Sequence, residues 1–136
     1  MRGHDFHLSG YDVRQFGAEI VLHLVYDYLP KPHEESHIRF LDVELYHFTH
    51  TGSTIVLGID EVSVSHILDQ FWDRILHWAN QHGGIPHWDR DDRVSYQAKL
   101  QGDGYRTWDI SSSIGFAGFV IAKSIDDITH EYNSNA

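Results

Sequence analysis

The chain has 136 residues, 20 acidic against 10 basic, 12 histidines and no cysteine. That length suits one domain, residues 1–136, with a core of its own, and the missing thiols exclude a disulfide framework and a thiolate metal site. A formal net charge of −10 repels phosphate backbones and anionic lipid. Nucleic acid and membrane are therefore set aside as partners, and two readings of the charge remain: plain solubility, or steering toward a basic protein.

No stretch reaches the roughly 20 apolar residues of a membrane helix, and Met1-Arg2-Gly3-His4-Asp5 has no apolar signal region behind it. A soluble, cytoplasmic protein is the expectation. Residues 1–10 carry few apolar groups and are expected to be loose. Ala18 to Leu29 alternates, with Ile20, Leu22, Leu24, Tyr26 and Tyr28 on one face, which predicts a half-buried strand. Its second face carries Val21 and Val25, so as an edge strand Ile20 to Val25 would make a homodimer seam. Pro30 to Ser36 then ends it, since proline cannot donate to a ladder.

A second strand is predicted from His37 to Thr49, with a change of phase at Leu41-Asp42 of the kind a β-bulge produces. Thr51-Gly52-Ser53 reads as a turn that returns Thr54 to Ile59 as the hairpin partner. Next comes the strongest pattern in the chain. Val64, Ile67, Leu68, Phe71, Trp72, Ile75, Leu76 and Ala79 recur at helical spacing, Ser63 or Ser65 can cap the first turn, and Gly83 can close the last. One amphipathic helix over about residues 64–82 follows, and its stripe needs a sheet to lie on.

Beyond it, Ile85 to Asp92 reads as a polar loop. Val94, Tyr96, Ala98 and Leu100 alternate with Ser95, Gln97, Lys99 and Gln101, which predicts a strand turned by Gly102-Asp103-Gly104. Tyr105 to Ser111 and Phe116 to Lys123 complete the set, and residues 130–136 are expected to fray. The expected fold is α+β: an antiparallel, strongly bent sheet or partly open barrel of about six strands, packed on one long helix.

Candidate chemistry is sparse. Asp69, Asp73 and His77 stand four apart along one helix edge, with His66 nearby, and could hold a divalent metal for a hydrolase. An amphipathic helix must also have a polar face, which explains them without a ligand. His87 to Asp92 crowds three carboxylates and an imidazole into one loop, the other place such a hydrolase could hold its metal, but lacks the glycine and bidentate glutamate of a calcium loop. Asp92 with Gln97 and Lys99 echoes metal-dependent nucleases at loose spacing, against the wrong net charge. No nucleophile elbow or phosphate loop is present, and no cofactor is indicated.

Aromatic residues are in excess, and Trp78, at the border of the helical stripe, and Trp88, in the polar loop, are the rings expected to be exposed or half-exposed. With the acidic groups Glu34, Glu35, Asp60, Glu61, Asp89, Asp91 and Asp92 they outline a binding face for a protein partner. No residue is assigned a catalytic role.

Ser111 to Lys123 resembles a C-terminal stretch of small bacterial proteins, some of them toxin-immunity proteins. Val43-x-x-Tyr46-x-Phe48, with Asp60-Glu61-Val62 after it, is similar as well. The likeness covers roughly a quarter of the chain. It implies a compact intracellular binder whose negative surface plugs a basic toxin active site, with no catalytic signature.

Overall fold

A computed structural model of the chain describes residues 6–26, 33–51, 56–112 and 115–133. Among these residues it is an antiparallel α+β fold of eight strands and three α-helices. The strands are β1 (Phe6–Arg14), β2 (Glu19–Tyr26), β3 (Glu34–Leu41), β4 (Leu45–His50), β5 (Val56–Val62), β6 (Arg106–Ser111), β7 (Phe116–Ala122) and β8 (Ser124–Asp127). The helices are α1 (Val64–His82), α2 (Arg93–Gly102) and α3 (Thr129–Asn133), and a short 3₁₀ turn, Gln15–Gly17, joins β1 to β2.

The strands run β4-β7-β6-β5-β1-β2-β3-β8. The two four-stranded halves meet through the brief pairing of Phe6 with Leu57 and His7 with Val56 in β1 and β5. The order ends in two edges, so the sheet does not close into a barrel. The halves instead face each other across a core of Ile20, Leu22, Leu24, Phe40, Trp108 and Val120.

Successive residues of β7 point to opposite faces, as the two-residue repeat of a strand requires. Val120 and Ala122 enter that core, while Phe119 and Ile121 enter a second one on the other face. There they meet Ile67, Leu68, Phe71 and Ile75 of α1 and Tyr96 and Leu100 of α2. The long helix thus lies on the outside of one sheet half rather than inside a bend of the sheet, because β7 offers an apolar row on each face.

α1 has the expected bounds and stripe. Ser63 Oγ accepts the His66 amide at 3.1 Å, and Gly83, at φ 68°, lets its N–H donate to the Ala79 carbonyl. The predicted strand over Val94 to Gln101 is instead α2. Asp92 caps it by accepting the Ser95 amide at 3.1 Å, and Tyr96 and Leu100, four apart, are the residues it buries. Val94, 79% exposed, and Ala98 face water, so the alternation there was incidental. The nuclease echo, which needs Gln97 and Lys99 along a strand, goes with it.

Four further expectations change. The predicted strand from His37 to Thr49 is two strands in opposite halves of the order, β3 between β2 and β8 and β4 at the far edge: Asp42, at φ 53°, turns the chain, after which Val43 donates to the Ala18 carbonyl at 2.9 Å and Glu44 to that of Ile121 at 2.8 Å. β5 pairs with β6 and β1, not with β4, so no hairpin joins them. Of the ends expected to be loose, residues 6–10 belong to β1, paired with β2, and 130–133 to α3, whose Tyr132 stacks on His37, while residues 1–5 and 134–136 lie outside the described residues. β2 is paired on both sides, by β1 and β3, so Ile20 to Val25 is no edge and the expected homodimer seam is closed. The turn at Gly52-Ser53 and the stop over Pro30-Lys31-Pro32 lie outside the described residues. No helix among those described is long and apolar enough to cross a membrane.

Candidate functional site

The edge at β4 carries a concavity, a groove of about 630 Å³. Residues 43–48, the approach to β4 and its first four residues, line it consecutively. α1 forms one wall with Arg74, Ile75 and Trp78, which share a helix face, and the 3₁₀ turn forms the other with Phe16. Phe16 is fully exposed and sits at φ 58°, between Gln15 at 53° and Gly17 at 97°. A bulky residue in the left-handed region is strained, and its ring recovers no burial in return. Trp78 is 49% exposed, its ring 4.3 Å from that of His82. The two large rings flank the strand from opposite walls.

Along the helical wall, Arg74 Nη1 donates to His47 Nε2 at 3.1 Å and to Thr49 Oγ1 at 3.3 Å. Because guanidinium only donates, the His47 nitrogen accepts and the ring is neutral. Burial, and after it the Arg74 charge, holds the His47 pKa below the ordinary imidazole value.

At the groove's inner end lies Glu44, its side chain fully buried. Its carboxylate accepts the His87 amide at 2.9 Å, His87 Nδ1 at 2.7 Å and the Tyr96 hydroxyl at 3.2 Å. His87 Nε2 donates to Asp103 at 2.9 Å, and Lys123 Nζ stands 3.6 Å from that second carboxylate. The Glu44 hydrogen bond, and behind it that of Asp103, raises the His87 pKa, whereas burial raises that of the Tyr96 phenol. Both imidazole nitrogens are engaged, so His87 has no lone pair for a substrate or an ion. It fastens the loop before α2 to the β3–β4 crossing and to the α2–β6 turn.

A third polar cluster lies on the outer face of the other sheet half, beneath α3. His23 and His37 approach through their Nδ1 atoms at 2.7 Å, and His23 Nε2 lies 3.0 Å from Asp12. Arg14 donates to Asp12 at 2.9 Å and to the Tyr132 hydroxyl at 3.0 Å, and the Tyr132 ring stacks on His37 at 3.8 Å. Burial, then the His23 charge, lowers the His37 pKa.

The residues singled out from sequence are dispersed. Trp78 is in the groove. Trp88 is half-buried, stacked on Trp72 at 5.1 Å and donating to Asp91 at 3.0 Å. Asp92 caps α2, and Asp89 accepts from Ser95 Oγ and faces Lys99 at 3.4 Å, with its pKa lowered chiefly by the serine. Glu61 forms a two-point pair with Arg106, at 2.9 and 2.5 Å. It lies on β5 beside Asp60, in one sheet half, while Glu34 and Glu35 lie on β3 in the other. Asp69, Asp73 and His77 are on the exposed face of α1, where Asp69 pairs with Arg93. Among the described residues no three His, Asp or Glu side chains are grouped to hold a metal ion.

Phe16, His47 and Arg74 line the groove without having been singled out from sequence as site residues. One signal did exist: Arg14-Gln15-Phe16-Gly17 joins two alternating runs as a hairpin loop, and a phenylalanine has no reason of packing to sit there. No protein-family model, curated protein or solved structure matches this chain.

Proposed function

We propose that the chain is a non-catalytic protein-binding domain that receives its partner along β4. The carrying observation is an edge strand left open between two exposed aromatic rings, Phe16 and Trp78. Half-exposed large rings beside a concavity are the usual anchors of protein recognition, and the edge supplies backbone groups for a partner to join. The net charge of −10 gives the partner its sign, since it accelerates encounter with a basic protein at low salt. The resemblance of Ser111 to Lys123 to small bacterial proteins, some of them toxin-immunity proteins, favours a basic toxin as the partner class.

The test compares the wild-type chain with the double variant Phe16→Asp, Trp78→Asp in capture from the native host, followed by affinity measured against salt. A protein ligand held by the wild type, lost by the folded variant and weakened as salt rises is expected. If the variant keeps the ligand, or small molecules bind in place of any protein, this function is wrong.

A further inference from the structure

Resting on that reading, we propose that the groove takes an extended peptide strand which adds to β4 and seats one acidic side chain on Arg74. The ladder between β4 and β7 fixes which backbone groups are available. Leu45 opposes Ile121 and His50 opposes Phe116, and the Thr51 amide donates to Gly115 at 3.0 Å in the same register. Hydrogen-bonded pairs alternate along an antiparallel ladder, so Leu45, His47 and Thr49 bond inward to β7. Tyr46, Phe48 and His50 turn their N–H and C=O groups outward, away from β7, and Tyr46 and Phe48 line the groove.

The two edges of the sheet are unlike. β8 spans four residues, ends in Asp126 and Asp127, and runs directly into α3, all of which discourage strand addition. β4 is Leu45-Tyr46-His47-Phe48-Thr49-His50, with no proline, lysine or carboxylate to guard it.

Arg74 assigns the charge of the ligand. Among the described residues it is the only Lys or Arg lining the groove and it meets no carboxylate, although the chain has twice as many acids as bases. Among the described residues its hydrogen-bond partners are the neutral His47 ring and the Thr49 hydroxyl, both reached from Nη1, which leave the rest of the guanidinium fork to donate. Glu44, the one acid lining the groove, is taken up by His87 and Tyr96. A carboxylate is the group that completes this site. A second copy of the chain serves poorly: β4 carries no acid, so pairing β4 with β4 brings two arginines together unmatched. In an added strand, side chains alternate between the walls. Those facing α1 meet Arg74 and Trp78, and those facing the 3₁₀ turn meet Phe16. The overall negative field attracts a basic partner from a distance, and Arg74 then fixes the register of its strand.

The probe is a displayed library of random linear peptides about 8 residues long, an ordinary strand length. Expected are sequences with alternating apolar side chains and one shared Asp or Glu. Their affinity falls at least about tenfold on Arg74→Gln and is partly restored by Arg74→Lys. N-methylation of alternate peptide amides abolishes binding, while methylation of the intervening ones leaves it intact. Peptides with no acidic preference, indifferent to Arg74→Gln, overturn the carboxylate assignment and leave protein binding standing. A chain that selects no peptide but still holds its host partner through Phe16 and Trp78 overturns strand addition, as does a stable dimer that Arg74→Glu does not disturb.

Discussion

His87 and Glu44 form a pair in which a half-buried imidazole closes over a fully buried carboxylate at 2.7 Å. The pair sits where the β3–β4 crossing meets the loop before α2, and Tyr96 completes the carboxylate's shell from α2 itself.

Removing one partner of such a pair leaves a buried charge uncompensated. His87→Ala is expected to cost about 3 kcal/mol, against about 1 kcal/mol for an ordinary exposed ion pair, by chemical denaturation at pH 6. The His87 pKa is raised, so its contribution is fully present below the unfolded value of about 6.5 and is lost as pH rises through the folded one. The difference between wild type and variant therefore shrinks toward alkaline pH. A difference that widens there contradicts the pairing.

The outer-face cluster carries the opposite dependence. His37 has a lowered pKa and faces His23, Glu35, Asp127 and the Tyr132 ring, with Asp12 and Arg14 on the far side of His23. Its contribution is present above about pH 6.5 and is lost as pH falls through the lower folded value. His37→Phe keeps the stack on Tyr132 and is expected to flatten the acid limb of a thermal-unfolding profile while leaving the alkaline limb unchanged.

Phe16 tests whether exposure and strain serve binding. At φ 58° glycine relieves the left-handed penalty, and a ring with no burial gives up nothing. Phe16→Gly is expected to match wild type in stability or to gain up to about 1 kcal/mol, and to bind groove-directed peptides more weakly. A loss of stability would show that the ring has a packing role.

Gly118 holds the groove strand in place. A β-carbon there would stand 2.3 Å from the His47 carbonyl oxygen and 2.8 Å from the Phe48 ring. Gly118→Ala is expected to cost about 2–3 kcal/mol and to speed amide exchange in β4 before other strands.

Asp92 supplies the cap that makes α2 a helix. Asp92→Ala is expected to cost about 1 kcal/mol, with amide exchange quickening at Ser95 and Tyr96.

What the sequence reveals follows from how local each cause is. α1 is legible because eight apolar residues keep one period and Ser63 and Gly83 mark its ends. α2 is not, because Val94, Tyr96, Ala98 and Leu100 fit a strand while Tyr96 and Leu100 alone fit a helix, and only the cap Asp92-x-x-Ser95 separates the two. The groove is less legible still. Trp78 can be picked out as a border position, but its meeting with Phe16 depends on Asp42 sending the chain from β3 in one sheet half to a place beside β7 in the other. A long-range choice of partner strand leaves no periodic trace at either residue.

The inequality of the two sheet ends also limits self-association. With β8 capped and only β4 able to recruit, edgewise stacking stops after one addition, and nothing remains at the far side to seed the next. Fibrous growth from the folded state has no propagating end in this architecture, so the chain can keep a sticky margin without the polymerisation that two such margins would invite.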